Sequence, residues 1–227
     1  MKRIGLIGGM SYESTQIYYR IINEEINRAL KKSHSADLVM SSFDYQELKE
    51  YMEGHRWDLV EERLYEEGNH LKMIGAKGLV LCANTVHIVA LQLEKRWDIP
   101  LIHIAKCVRD EVEQSDLKKV LLLGTQYTMK SDIYQTLFKE KGIEVITPSL
   151  KDQLYIHQCI YNELIVGDFR LESRHKIVEI IHKMSVQGVI LGCTELPLLI
   201  KDEHLSIKRL DTLFIHAKAI TKWMLKE

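Results

Sequence analysis

The sequence predicts an α/β protein of two pseudo-symmetric domains, each a parallel sheet flanked by helices. Three observations carry this. A strand-and-turn pattern occurs twice, as Gly78-Leu79-Val80-Leu81-Cys82-Ala83-Asn84-Thr85 and as Gly188-Val189-Ile190-Leu191-Gly192-Cys193-Thr194-Glu195. A second pair follows the same plan: Ile4-Gly5-Leu6-Ile7-Gly8-Gly9-Met10-Ser11 matches Val120-Leu121-Leu122-Leu123-Gly124-Thr125-Gln126-Tyr127. Each is an apolar strand that breaks into a glycine turn before a helix-like segment. Strand and helix alternate densely, which favours parallel sheets covered on both faces. The competing explanation is physical resemblance alone, since any parallel α/β chain repeats apolar strands followed by glycine.

The elements follow in order. The first half reads as strand 3–8, helix 12–31, strand 36–43, helix 57–74, strand 78–82, helix 85–96 and strand 100–104. The second half reads as strand 119–124, helix 130–141, strand 143–147, helices 152–165 and 172–186, strand 188–192 and a short helix at 196–200. A closing helix over 212–226 starts at Asp211-Thr212, a suitable cap, and is expected to pack on the first half. The first domain is therefore expected to comprise 1–100 with 205–227, and the second 101–204.

Composition excludes several function classes. A chain of 227 residues with 46% hydrophobic residues has the make-up of a soluble globular protein. The net charge is -1 with both signs mixed along the chain, so no basic stripe for nucleic acid is expected. The apolar start at Ile4 is only a strand long, so no signal peptide is expected, and no apolar run would span a bilayer. Cys82, Cys107, Cys159 and Cys193 show no Cys-x-x-Cys spacing, which argues against a zinc ribbon or thioredoxin-type site and for a reduced, cytoplasmic protein. His103, Cys107 and His157 are metal-ligating types without metal-ligand spacing, so no metal is assigned. Gly5-x-x-Gly8-Gly9 has neither the dinucleotide spacing nor the lysine of a phosphate loop.

Ligands of parallel sheets bind at the carboxyl ends of the strands, where Gly8–Met10, Ala83–Thr85, Gly124–Gln126 and Cys193–Glu195 collect. Aligning the repeats on Gly78 and Gly188 sets Cys193 opposite Ala83 and Thr194 opposite Asn84. The two tips would face a shared cleft. One carries a thiol and the other a methyl group.

Four motifs in order, Gly8-Gly9-Met10-Ser11-Tyr12-Glu13-Ser14-Thr15, Asn84-Thr85-Val86-His87, Leu123-Gly124-Thr125 and Gly192-Cys193-Thr194-Glu195, resemble those of the aspartate/glutamate racemase family of cofactor-independent amino-acid racemases. The resemblance runs over essentially the whole chain, and the opening motif is most similar to the branch of broad-specificity and L-aspartate/glutamate racemases. It implies two α/β domains with the active site between them, no cofactor, an amino acid or related carboxylate as ligand, and often a homodimer. The family's first motif reads Cys-Asn-Thr-x-His, which places its first cysteine at Ala83 and leaves Cys193 as the thiol acid/base. By the same resemblance Met10, Ser11, Met52, Asn84, Thr85, Thr125, Thr194 and Glu195 are the substrate-binding candidates. A methionine is more often core than contact, so the core reading of Met10 and Met52 stands beside that one.

The family's chemistry explains thiols at strand tips. Racemisation without pyridoxal phosphate removes the α-hydrogen from one face and returns a proton to the other. A thiolate suits this because strand-end and helix-end amides can lower its pKa. Asn84, Thr85 and Thr194 could hold the substrate carboxylate as charge develops. Cys82 lies one residue from the family position, and neighbouring strand side chains point to opposite faces, so it is expected in the core.

Two further departures bear on the substrate. Ile165 stands where family members specific for acidic substrates commonly carry a lysine, and the arginine often found after the second strand is missing from Phe43-Asp44-Tyr45-Gln46-Glu47. A neutral or larger side chain is then as plausible as an acidic one. His87 reads either as a site residue or as a structural hydrogen-bond partner, and Glu195 either as a modulator of the thiol or as a helix cap. Three functions stay open. They are a racemase in which water or the Thr85 hydroxyl replaces the second thiol, a one-cysteine lyase or isomerase of the decarboxylase or maleate-isomerase kind, and an amino-acid-binding protein without turnover.

Overall fold

A computed structural model describes residues 1–226. The chain forms two compact units, one of residues 1–104 with the chain from His216 onward, the other of residues 105–215.

The first unit holds β1 (Ile4–Gly8), α1 (Tyr12–Leu30), β2 (Leu38–Ser42), α2 (Tyr45–Glu53), α3 (Trp57–Met73), β3 (Gly78–Leu81), a 3-10 turn (Thr85–Val89) and α4 (Ala90–Arg96). Its strands are parallel in the order β2-β1-β3. β1 and β3 are buried along their whole length, as sheet centres covered on both faces must be. Ile7, Leu79 and Leu81 pack with Leu48, Met52, Val60, Leu64 and Leu93 of α2, α3 and α4. Gly9 sits at φ 91°, and a Cβ there would lie 2.3 Å from the Phe43 carbonyl oxygen, so only glycine lets the β1 turn approach the end of β2.

The second unit holds α5 (Ile104–Gln114), β4 (Lys119–Gly124), α6 (Gln126–Lys130), α7 (Ile133–Lys139), β5 (Glu144–Ile146), α8 (Leu150–Asn162), a 3-10 turn (Leu164–Val166), α9 (Leu171–His182), β6 (Gly188–Gly192), α10 (Leu196–Leu199) and β7 (Lys208–Asp211). The parallel order is β5-β4-β6-β7. Alternate residues of β4 serve opposite cores. Val120 and Leu122 pack with α5 and α7, whereas Leu121 and Leu123 pack with α8 and α9. The duplicated plan is visible in each sheet, because the strand that opens each unit is flanked by the next strand on one side and by the third on the other.

α11 (Thr212–Leu225) closes the chain. As expected it packs on the first unit: Met224 accepts a backbone bond from Lys2 (2.8 Å), and Trp223 fills the space where Gly78 has no side chain. The division nevertheless falls at 104 and 215 rather than at 100 and 205. Its cause is β7, an edge strand that pairs with β6 and whose Lys208, Arg209 and Asp211 hide it from a search for apolar runs. Three other expectations are corrected. Strand 100–104 reduces to one bridge between Leu79 and Leu101, the helix expected from 85 begins as a 3-10 turn, and that expected over 130–141 is the shorter α7, preceded by the unexpected α6.

Candidate functional site

Each unit gathers its candidate residues at the carboxyl end of its sheet. In the first, Cys82 N–H donates to the Ile7 carbonyl (3.0 Å), which sets the turn after β3 beside the turn after β1. Met10, Ser11, Ala83, Asn84 and Thr85 therefore belong to adjacent turns. Ser11 caps α1, its hydroxyl accepting from Ser14 N–H (3.3 Å). Asn84 is buried, while Ala83 and Thr85 are partly exposed. Met10 and Met52 lie in the apolar core of this unit, Met52 at 1% exposure.

In the second unit, Gly124 pairs with Gly192 in register, so Thr125 and Cys193 leave neighbouring strand ends. Thr125 caps α6 and accepts from Thr128 N–H (3.3 Å). The Cys193 Sγ donates to Glu195 Oε2 across 2.9 Å, and the Thr194 hydroxyl donates to the same oxygen across 2.8 Å. Glu195 stands at the N-cap position of α10 yet makes no side-chain cap bond. Its carboxylate is turned toward the Cys193 thiol and the Thr194 hydroxyl instead. Thr194 has one hydroxyl proton and donates it to Glu195, so its side-chain donor is already engaged.

The electrostatics run against the simplest expectation for the thiol. Burial pushes the Cys193 pKa well above its ordinary value, and the Glu195 charge and hydrogen bond push it further. Backbone amides of Thr194 and Glu195 act in the opposite direction but do not prevail. The resting group is a protonated thiol hydrogen-bonded to a carboxylate. Cys82 is fully buried in the first unit, where burial raises its pKa too, in keeping with a core role.

The structure also brings in Arg63, which sequence reasoning passed over, and gives places to His157 and Ile165. A guanidinium does reach the segment after β2, supplied by α3: Arg63 lies 5.0 Å over the Phe43 ring and 3.5 Å from Glu47. It also pairs with the buried Glu67, so two carboxylates already neutralise it. His157 of α8 accepts from Gln126 N–H (3.3 Å) and stacks beside Tyr161, bracing the turn after β4. Ile165 is exposed on the 3-10 turn after α8. Of the metal-ligating types noted above, His103 falls in the first unit, Cys107 and His157 in the second. Among the described residues no cluster of His, Cys, Asp or Glu is arranged to hold a metal ion, and no helix is long and apolar enough to cross a membrane.

Both units are parallel α/β sheets with their candidate residues at the strand ends, and the second carries a thiol–carboxylate pair at one such tip. The chain belongs to the Asp/Glu/Hydantoin racemase family, whose model matches residues 7–220. It is similar over the full length of both chains to a candidate Asp/Glu racemase from Yersinia pestis (39% identity, TM-score 0.94). The same full coverage holds for an aspartate racemase homologue from Pyrococcus horikoshii (33% identity, TM-score 0.85). A glutamate racemase from Aquifex aeolicus is 32% identical over 143 residues, 59% of this chain and 52% of that protein. The match thus spans about half the length of that curated relative.

Proposed function

We propose that this protein is a pyridoxal-phosphate-independent amino-acid racemase in which Cys193 is the single thiol acid/base. The observation that carries the proposal is the Cys193–Glu195 hydrogen bond at the tip of β6. Passing the thiol proton to Glu195 leaves a thiolate, which then takes the substrate α-hydrogen as a proton while the C–H electron pair delocalises into the carboxylate. Asn84, Thr85 and Thr125 supply polar groups for that developing charge, with the backbone amides of the 193–195 turn. Ser11 lies on the substrate side of the first unit, and Met10 and Met52, expected as pocket walls, support it from the core. Ala83 has no proton to give, so the opposite face is served by water or by the Thr85 hydroxyl, and inversion is slower than proton removal. The same reading carries a cytoplasmic homodimer that needs no cofactor.

The substrate is an amino acid. Family membership favours aspartate or glutamate, whereas Ile165 and the neutralised Arg63 withhold the cations that a second carboxylate would seek. The test is to incubate the protein with L- and D-aspartate and glutamate, then with neutral amino acids, and to separate the enantiomers. Interconversion by the wild type and none by Cys193→Ser supports the proposal. Ala83 itself favours a second reading, a one-thiol lyase or isomerase, which the same incubations would reveal through loss of a carboxyl group or conversion of an unsaturated diacid.

A further inference from the structure

Two buried hydrogen-bonded relays in the first unit end on the segment 102–104, and one of them reaches the tip of β3. The Tyr18 hydroxyl lies 2.8 Å from His216 Nδ1, and His216 Nε2 lies 2.7 Å from the Ile102 carbonyl. A carbonyl only accepts, so His216 carries its proton on Nε2 and takes the Tyr18 hydroxyl proton at Nδ1. The neighbouring His87 has the other tautomer. Ile104 N–H donates to its Nε2 (3.2 Å), which leaves the ring proton on Nδ1, donated to the Ala83 carbonyl (2.9 Å). Both nitrogens of His87 are therefore committed, and its ring packs 4.7 Å from that of His103. Burial, reinforced by the two neighbouring imidazoles, holds its pKa well below the ordinary value, which keeps the accepting nitrogen bare.

The Ala83 carbonyl belongs to the peptide that joins Ala83 to Asn84. That peptide is trans and planar, so fixing its C=O fixes the opposite direction of the Asn84 N–H. The same carbonyl precedes the 3-10 turn in which His87 N–H donates to Asn84 O (3.0 Å). We infer that His87 is a positioning residue of the site, which orients Asn84 and Thr85 toward the substrate carboxylate by gripping the carbonyl of the residue that stands where the family has a thiol. The inference rests on the racemase reading only for the identity of the ligand. The relay from Tyr18 through His216 ends at the Ile102 carbonyl, two residues before the Ile104 N–H that His87 accepts from.

Two substitutions separate the two bonds of His87. An asparagine amide nitrogen sits near the place of Nδ1, so His87→Asn keeps the donor to Ala83 and loses the acceptor for Ile104. A glutamine amide reaches the place of Nε2, so His87→Gln keeps the Ile104 bond and releases Ala83. Each variant loses one hydrogen bond, and a purely structural role predicts similar damage from both. Positioning predicts that kcat for α-hydrogen exchange of L-aspartate or L-glutamate stays within about fivefold in His87→Asn and falls by about 100-fold in His87→Gln, the scale of a 1 Å misplacement. Equal losses would overturn the inference.

Should the wild type exchange the α-hydrogen of no amino acid, the racemase reading fails and the inference is read from amide spectra instead. Asn84 and Thr85 resonances that hold in His87→Asn and move in His87→Gln support it, and the reverse overturns it. If neither variant folds, side-chain 15N spectra of the wild type decide, because a ring proton on Nε2 of His87 would contradict the assignment.

Discussion

The Cys193 thiol and the Glu195 carboxylate form a hydrogen-bonded pair, Sγ to Oε2 at 2.9 Å, in which the carboxylate also holds the Thr194 hydroxyl. The pair stores a proton at rest. In the mechanism proposed above, Glu195 is the group against which the thiol ionises, and the pair is the route by which an abstracted α-hydrogen exchanges with solvent.

Glu195→Gln removes the negative charge that raises the thiol pKa and keeps a side chain of the same size. The pH midpoint for alkylation of Cys193 by iodoacetamide, followed on its own peptide by mass spectrometry, should then fall by about 1 unit or more. An unchanged midpoint would show that burial alone controls the thiol.

Cys193→Ser should reduce α-hydrogen exchange by about 10³-fold, within the range of a lost acid/base group, because a hydroxyl is a far weaker acid than a thiol. Circular dichroism should show the fold intact. Cys82→Ala should instead lower stability by about 1–2 kcal/mol through lost burial in the core and leave the chemical step unchanged. A catalytic collapse in folded Cys82→Ala would transfer the role to the other thiol.

Ala83→Cys should raise the ratio of inversion to exchange. The position is partly exposed at a strand end, so one added sulfur costs little stability, within about 1.5 kcal/mol. Chiral separation of products from the two proteins compares the ratios, and no gain by a folded variant that binds amino acid would count against water or Thr85 filling the place of a family thiol.

Stability should fall on acidification below neutrality. His216 is fully buried and hydrogen-bonded as a neutral ring, and burial lowers its pKa from the ordinary 6.5 to about 4. The unfolded chain takes up a proton that the folded ring refuses, so this contribution is present above pH 6.5 and is lost as the pH falls toward about 4. From pH 7.5 to pH 5 the loss from this ring is about 2 kcal/mol, with His87 adding in the same direction. Urea unfolding at the two values measures it; equal midpoints would mean that the ring protonates within the fold.

Much of this was legible in the sequence because the signals were local. The apolar strands β1, β3, β4 and β6, each entered or left through glycine, are buried runs of the kind that parallel sheets require, complete but for Lys119 at the start of β4. The placing of Cys82 in the core followed from strand alternation and matches its burial. Elements with few or no apolar residues escaped notice. α2 buries only Leu48 and Met52, and β7 has Leu210 as its single fully buried residue. α5, by contrast, showed Ile104, Ala105, Val108 and Val112 at helical spacing, a signal that was present and obscured by the apolar run before it. The bonds of Glu195 and His87 were not legible. They depend on side-chain direction at turns, where no periodicity operates.

The most direct test of the central claim is to incubate the protein with L- and D-amino acids in heavy water and follow deuterium entry at the α-carbon separately from inversion. A single working thiol at Cys193 predicts that one enantiomer exchanges its α-hydrogen much faster than it inverts, and that Cys193→Ser lowers both by about 10³-fold. Equal rates of exchange and inversion from both enantiomers, or exchange undiminished in Cys193→Ser, would contradict it.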